Sequence, residues 1–130
     1  MAKKIYVFEN LNPDGERIGD CVIRAIAKAT NKPYVQIEDE LYLNLGKVGY
    51  RNIGTAWKTY IDGCNFKKLS FPAKKGCPRI TARAFAESHP DGRYILRLAG
   101  HLTACVDGKI YDIWDCSKKC VYNAWEVEVA

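Results

Sequence analysis

Histidine, glutamine and long apolar runs are what this sequence has least of. Its 130 residues contain two histidines, one glutamine and one methionine. No apolar stretch approaches the ~20 residues that a membrane-spanning helix needs, so no membrane partner is expected. The amino-terminal run Met1-Ala2-Lys3-Lys4-Ile5-Tyr6 turns polar at Glu9-Asn10, so no signal-peptide core is expected either. There is no heptad or short repeat, and the 10 Gly and 5 Pro are scattered. That pattern excludes coiled coil, collagen and low-complexity disorder. What remains is an ordinary globular composition, 48% apolar and 27% charged, read as a single domain over residues 1–130 with a sizeable core.

The charge balance is mildly basic, 20 Lys+Arg against 15 Asp+Glu. The basic pairs Lys3-Lys4, Lys67-Lys68, Lys74-Lys75 and Lys118-Lys119 are dispersed and read as a solvated surface. No recognition helix, zinc module or stacking motif accompanies them, so nucleic acid is not the expected partner. Cysteine, by contrast, is abundant: Cys21, Cys64, Cys77, Cys105, Cys116 and Cys120. Without a signal-peptide core the expected setting is the reducing cytoplasm, with free thiols. The question is which thiol carries chemistry.

Patterning gives helices first and sheet afterwards, an α+β fold. Lys4 to Phe8 predicts a short strand, and Asn12-Pro13-Asp14-Gly15 a turn. Asp20 is placed to cap a helix from Cys21 to about Ala29, whose apolar residues Val22, Ile23, Ala25, Ile26 and Ala29 mark it as largely buried. A second helix is predicted from Pro33 through Leu45, closed by Gly46 and Gly49, and a third over Thr55 to Ile61. Phe66 to Phe71 is extended, residues 74–78 form a loop, and Thr81 caps a further helix carrying Ala82, Phe85 and Ala86. An antiparallel meander follows: Arg93 to Leu98, His101 to Val106, Lys109 to Trp114 and Tyr122 to Val129, with Asp107-Gly108 as a hairpin turn.

Cys21 is the predicted nucleophile. It directly follows Asp20 in the first turn of a helix, where unpaired backbone N–H groups and the positive end of the dipole favour a thiolate. The same donors face a developing oxyanion. His89 precedes Pro90 at a helix end and reads as a cap. His101 opens a strand among well-filled apolar positions, so its ring needs a polar partner. The following strand offers Asp112 and Asp115. A two-residue turn at Asp107-Gly108 would put Asp112 opposite Thr103, on the face of His101. A three-residue loop would put Asp115 directly opposite His101, so a one-residue slip exchanges the two acids.

The segments Gly19-Asp20-Cys21-Val22-Ile23-Arg24-Ala25-Ile26, Gly100-His101-Leu102-Thr103-Ala104 and Tyr111-Asp112-Ile113-Trp114-Asp115 resemble papain-like cysteine peptidases. The likeness is nearest to the small cysteine-peptidase-like proteins of bacteriophages and bacteria. It implies a papain-like fold, with the nucleophile at a helix start packed on a carboxy-terminal antiparallel sheet. It also implies a Cys-His-Asp thiol hydrolase acting on a peptide, isopeptide or related amide bond, without cofactor or metal. In that family the third member often sits at a strand end beside Trp. The resemblance therefore selects Asp115, next to Trp114, with Asp112 the alternative. The family's oxyanion glutamine is absent, because the one glutamine, Gln36, follows the nucleophile. Asn12, nine residues before Cys21, takes that position, and Asn10 is a weaker match.

Two rival readings use the same residues. Cys116 and Cys120, with three residues between them, loosely fit a zinc pair, but Cys64 and Cys77 are too far apart to complete it. A peptidase-like binding module with weak or no catalysis would instead block a host or partner protein. It would use exposed aromatics, for which Tyr42, Tyr50, Trp57 and Tyr60 are the candidates.

Overall fold

The computed structural model describes residues 4–15, 20–45, 53–71 and 79–128, the side chains of 42–45 and 53–56 excepted. Strand β1 is Tyr6–Phe8, followed by helices α1 (Cys21–Thr30), α2 (Tyr34–Leu45) and α3 (Ile53–Gly63). Strand β2 is Lys67–Ser70 and helix α4 is Ala82–Ser88. The chain then forms β3 (Arg93–Leu98), β4 (His101–Val106), β5 (Lys109–Asp112) and β6 (Asn123–Val127). The fold is α+β, with a six-stranded mixed sheet ordered β1-β5-β4-β3-β6-β2. Among the described residues no helix is long and apolar enough to cross a membrane. Gly46, Gly49, Tyr50, the 74–78 loop with Cys77, and Val129 lie outside the described residues.

Local chemistry explains the helix limits. α1 ends at Asn31, which adopts the left-handed conformation (φ 58°) while the N–H groups of Asn31 and Lys32 bond the carbonyls of Lys28 and Ala27. α2 starts directly after Pro33, whose fixed φ suits a helix entry. Thr81 caps α4, its hydroxyl accepting from the Ala84 N–H at 3.1 Å. Asp20 departs from expectation. It stands at the N-cap of α1, but its carboxylate makes no capping bond. That carboxylate is committed elsewhere, as described below.

The sheet is covered on both faces, which is why β3 and β4 read as nearly continuous apolar runs. On one face Ile23 and Ile26 of α1, Ile37 and Leu41 of α2, and Trp57 and Ile61 of α3 pack on Ile95, Ala104, Trp125 and Val127. On the other, Ala82 and Phe85 of α4 pack on Leu96, Cys105, Ile110 and Val121. His89 closes α4, its ring stacked on Phe85 at 3.9 Å.

The strands do not run as a simple meander. β6 pairs with β3 rather than β5, and β1 fills the free edge of β5 in parallel. The cause lies in the segment between β5 and β6. It hydrogen-bonds to the approach of α4 through Arg83 N–H to Ser117 O, Ala82 N–H to Lys119 O and Val121 N–H to Ile80 O. Those bonds carry the chain across the α4 face to the far side of β3.

The β4–β5 hairpin sets the register that matters. Val106 pairs with Lys109 and Ala104 with Tyr111, so the loop is the two residues Asp107 and Gly108. Both have positive φ, 49° and 78°, as the twist-matched hairpin turn requires. Asp112 therefore lies on the His101 side of the hairpin. β5 ends there, before Trp114 and Asp115.

Candidate functional site

The site is built from the head of α1, the start of β4 and the end of β5. Cys21 is the first residue of α1 and is partly exposed. Its thiol lines one cavity with the His101 side chain and Leu102. His101 Nε2 lies 2.6 Å from Asp112 Oδ2. Trp114 stands over the imidazole, ring centroids 4.9 Å apart, and shields one side of it.

The electrostatics favour charge separation. Burial alone would raise the Cys21 pKa, but the His101 and Leu102 bonds and the charges of His101 and Arg24 bring it below the ordinary thiol value. Burial alone would lower the His101 pKa, but hydrogen bonds with Asp112, Cys116 and Cys21 hold it well above the usual imidazole range. Burial opposes ionisation of Asp112 too, yet the His101 bond and charge hold it down at about 2. These shifts favour a thiolate on Cys21, an imidazolium on His101 and a carboxylate on Asp112. Cys105, fully buried, is pushed the other way to about 12, and Cys64 is also raised.

Asp112 has a second partner that sequence reasoning missed. Arg24 donates through Nη1 to Asp112 Oδ1 at 3.0 Å and through Nε to Asp20 Oδ1 at 2.8 Å. All three residues are buried. The other Asp20 oxygen accepts from the Tyr34 hydroxyl at 2.8 Å and from Asn12 Nδ2 at 3.1 Å. Charges therefore alternate from Cys21 through His101, Asp112 and Arg24 to Asp20. Burying ions costs several kcal/mol each unless every lone pair is met. Here each carboxylate oxygen has a donor, with Ile113 N–H completing Asp112 Oδ1. One sequence signal pointed this way: an arginine inside the apolar run Val22-Ile23-Arg24-Ala25-Ile26 needs a buried partner.

Two expected site residues are not brought to the thiol. Asp115 accepts from the Ser117 N–H at 3.0 Å and hydroxyl at 2.6 Å, which lower its pKa, and it makes no bond to His101. The cause is the two-residue hairpin, which gives the imidazole to Asp112. Asn12 is buried, but its side chain is used on both sides, donating to Asp20 and accepting from the Asp14 N–H at 2.9 Å. It buttresses Asp20, one residue before the nucleophile, and no contact carries the oxyanion role expected of it.

His101, Asp112 and Cys116 offer three ligand atoms within 4.8 Å of one another. Their spacing is that of hydrogen bonds: Nε2 to Oδ2 at 2.6 Å and Cys116 Sγ to Oδ2 at 3.5 Å. Ligands about 2.0–2.3 Å from a tetrahedral zinc sit more than 3 Å from each other. The His101–Asp112 pair is thus spaced for a shared proton. Cys120, exposed, is not in this cluster. Of the aromatics considered for partner binding, Trp57 is buried and Tyr60 bonds Glu40 at 2.6 Å, while the Tyr42 side chain lies outside the description.

Comparison with protein-family models, curated proteins and solved structures matches none of them to this chain.

Proposed function

We propose that this chain is a thiol hydrolase that uses Cys21, His101 and Asp112 on a peptide, isopeptide or related amide bond. The observation that carries this reading is one arrangement: a thiol at a helix head that shares a cavity with an imidazole, whose Nε2 is held 2.6 Å from a buried carboxylate. The order of the three along the chain supports the resemblance to papain-like peptidases, with Asp112 in the third role. On that reading the protein takes a protein or peptide substrate and requires no cofactor.

The chemistry then runs in two halves. The Cys21 thiolate attacks the acyl carbon, and the carbonyl electron pair moves onto oxygen. The Cys21 N–H, at the head of α1 where first-turn donors lack intrahelical partners, stabilises that oxyanion. The intermediate collapses, the C–N bond breaks, and His101 gives its proton to the departing amine. A thioester remains on Cys21. Water attacks it, His101 takes the water's proton, and the acid leaves as the thiolate–imidazolium pair is restored. Asp112 keeps Nε2 protonated and Nδ1 turned to sulfur throughout.

An activated ester tests this without knowledge of the natural substrate. With p-nitrophenyl acetate, a burst of p-nitrophenolate is expected, matched by one acetyl group mapped to Cys21 and followed by slower turnover. Cys21→Ala should abolish both. Acetylation spread over lysines and the other thiols, at a rate indifferent to Cys21→Ala, contradicts the reading.

A further inference from the structure

The thiol and the imidazole open into a cavity of about 250 Å³. Its other walls are apolar, from Val22, Trp57, Leu98 and Leu102, with one exception: Arg97. Arg97 lies on β3, opposite Leu102 and one register step from the pair Leu98 and His101. Its guanidinium sits 5.9 Å over the Trp57 ring, and its Nη1 makes a long 3.4 Å bond to the neutral Asn123 amide. Among the described residues no carboxylate pairs with it, and none lines the cavity. The other cation of the cavity, His101, is already matched by Asp112. Arg97 is therefore a cation of the cavity without a carboxylate partner among the described residues, held on a strand and backed by an aromatic wall. Guanidinium groups in such places recognise carboxylates by charge-assisted hydrogen bonds.

We propose that Arg97 selects acyl substrates carrying a carboxylate beside the bond that Cys21 attacks. This inference rests on the thiol-hydrolase reading and names its substrate class. The apolar wall receives the stem of the group, and Arg97 receives its charged end. Two sources offer that chemistry: a chain-terminal carboxylate, or an acidic side chain within a longer chain.

Matched alkylating probes test the inference. N-iodoacetyl-glycine carries a terminal carboxylate, N-iodoacetyl-aspartic acid α-amide carries it on a side chain, and N-iodoacetyl-glycinamide is the neutral reference. In each the Cys21 thiolate displaces iodide, and the readout is the ratio of rates at Cys21, charged over neutral. A preference of about two- to fivefold is expected for one of the acids, the size of a single partly exposed charge contact. Whichever acid is preferred identifies the source. The ratio should fall to that of the free amino-acid thiol in Arg97→Gln, persist in Arg97→Lys, and weaken in high salt. If Cys21 reacts selectively but the ratio is flat, or is unmoved by Arg97→Gln, the carboxylate inference is overturned and the hydrolase reading stands. If Cys21 reacts no faster than the other thiols with any probe, both fall.

Discussion

Asp112→Asn is expected to slow acylation of Cys21 by about 10²–10⁴-fold. The substitution keeps the size and leaves the amide oxygen to accept from Arg24, so the NH2 faces Nε2, where it can donate but not accept. When the amide donates to Nε2, the ring proton moves to Nδ1, and the imidazole can no longer draw the proton from sulfur. The thiol then returns towards its ordinary range. Asp115→Asn is the matched comparison. Its carboxylate accepts from the Ser117 hydroxyl and N–H and makes no bond to His101, so acylation should stay near the unsubstituted rate. Burst kinetics on both variants, with circular dichroism to verify folding, decide the assignment. A loss in Asp115→Asn with none in Asp112→Asn would reverse it.

Arg24→Leu is expected to destabilise the fold by about 3–5 kcal/mol, because it strands Asp20 and Asp112 as buried carboxylates without their shared cation. The sign of its pH dependence follows from linkage. In the intact protein Asp112 is held at about 2, below its unfolded value, so its contribution is present above about pH 4 and is lost as pH falls through 2. Removing Arg24 takes a cation from beside Asp112 and moves its folded-state pKa upward. The variant's deficit should then be largest near neutral pH and shrink as the medium is acidified, since protonation relieves the stranded charge. Urea unfolding near pH 7 and near pH 5 measures both midpoints. A deficit below about 1 kcal/mol, the size of an exposed pair, or one that grows on acidification, contradicts the buried relay.

Much of this site was legible in the chain because its geometry is local. An acid, a cysteine and an apolar run mark the start of α1. Asp107-Gly108 names a hairpin turn but not its length, and the two-residue loop that forms gives His101 to Asp112. Family likeness pointed instead to Asp115 beside Trp114. Trp114 does cover the imidazole, but β5 ends at Asp112 and the chain then turns Asp115 towards Ser117. What stayed hidden depends on contacts between distant segments. The bond from Arg24 to Asp112 spans 88 positions, and no periodicity encodes it. The parallel pairing of β1 with β5 and the passage of residues 116–121 over α4 are likewise tertiary choices. The bond from Asn12 to Asp20 was hidden because a turn residue before proline has the same sequence signature whether it faces a substrate or braces Asp20.

The central claim is that Cys21 and His101 form a thiolate–imidazolium pair. Its most direct test is the pH profile of Cys21 alkylation by iodoacetamide in the native protein, with each thiol mapped by mass spectrometry. Cys21 should label fastest of the six. Its reactivity should persist well below the ~8.5 of a free thiol, because His101 and Leu102 lower its pKa, and His101→Ala should return the profile to that ordinary value. A Cys21 that is inert, or that titrates near ~8.5 whether or not His101 is present, would contradict the pair and the account built on it.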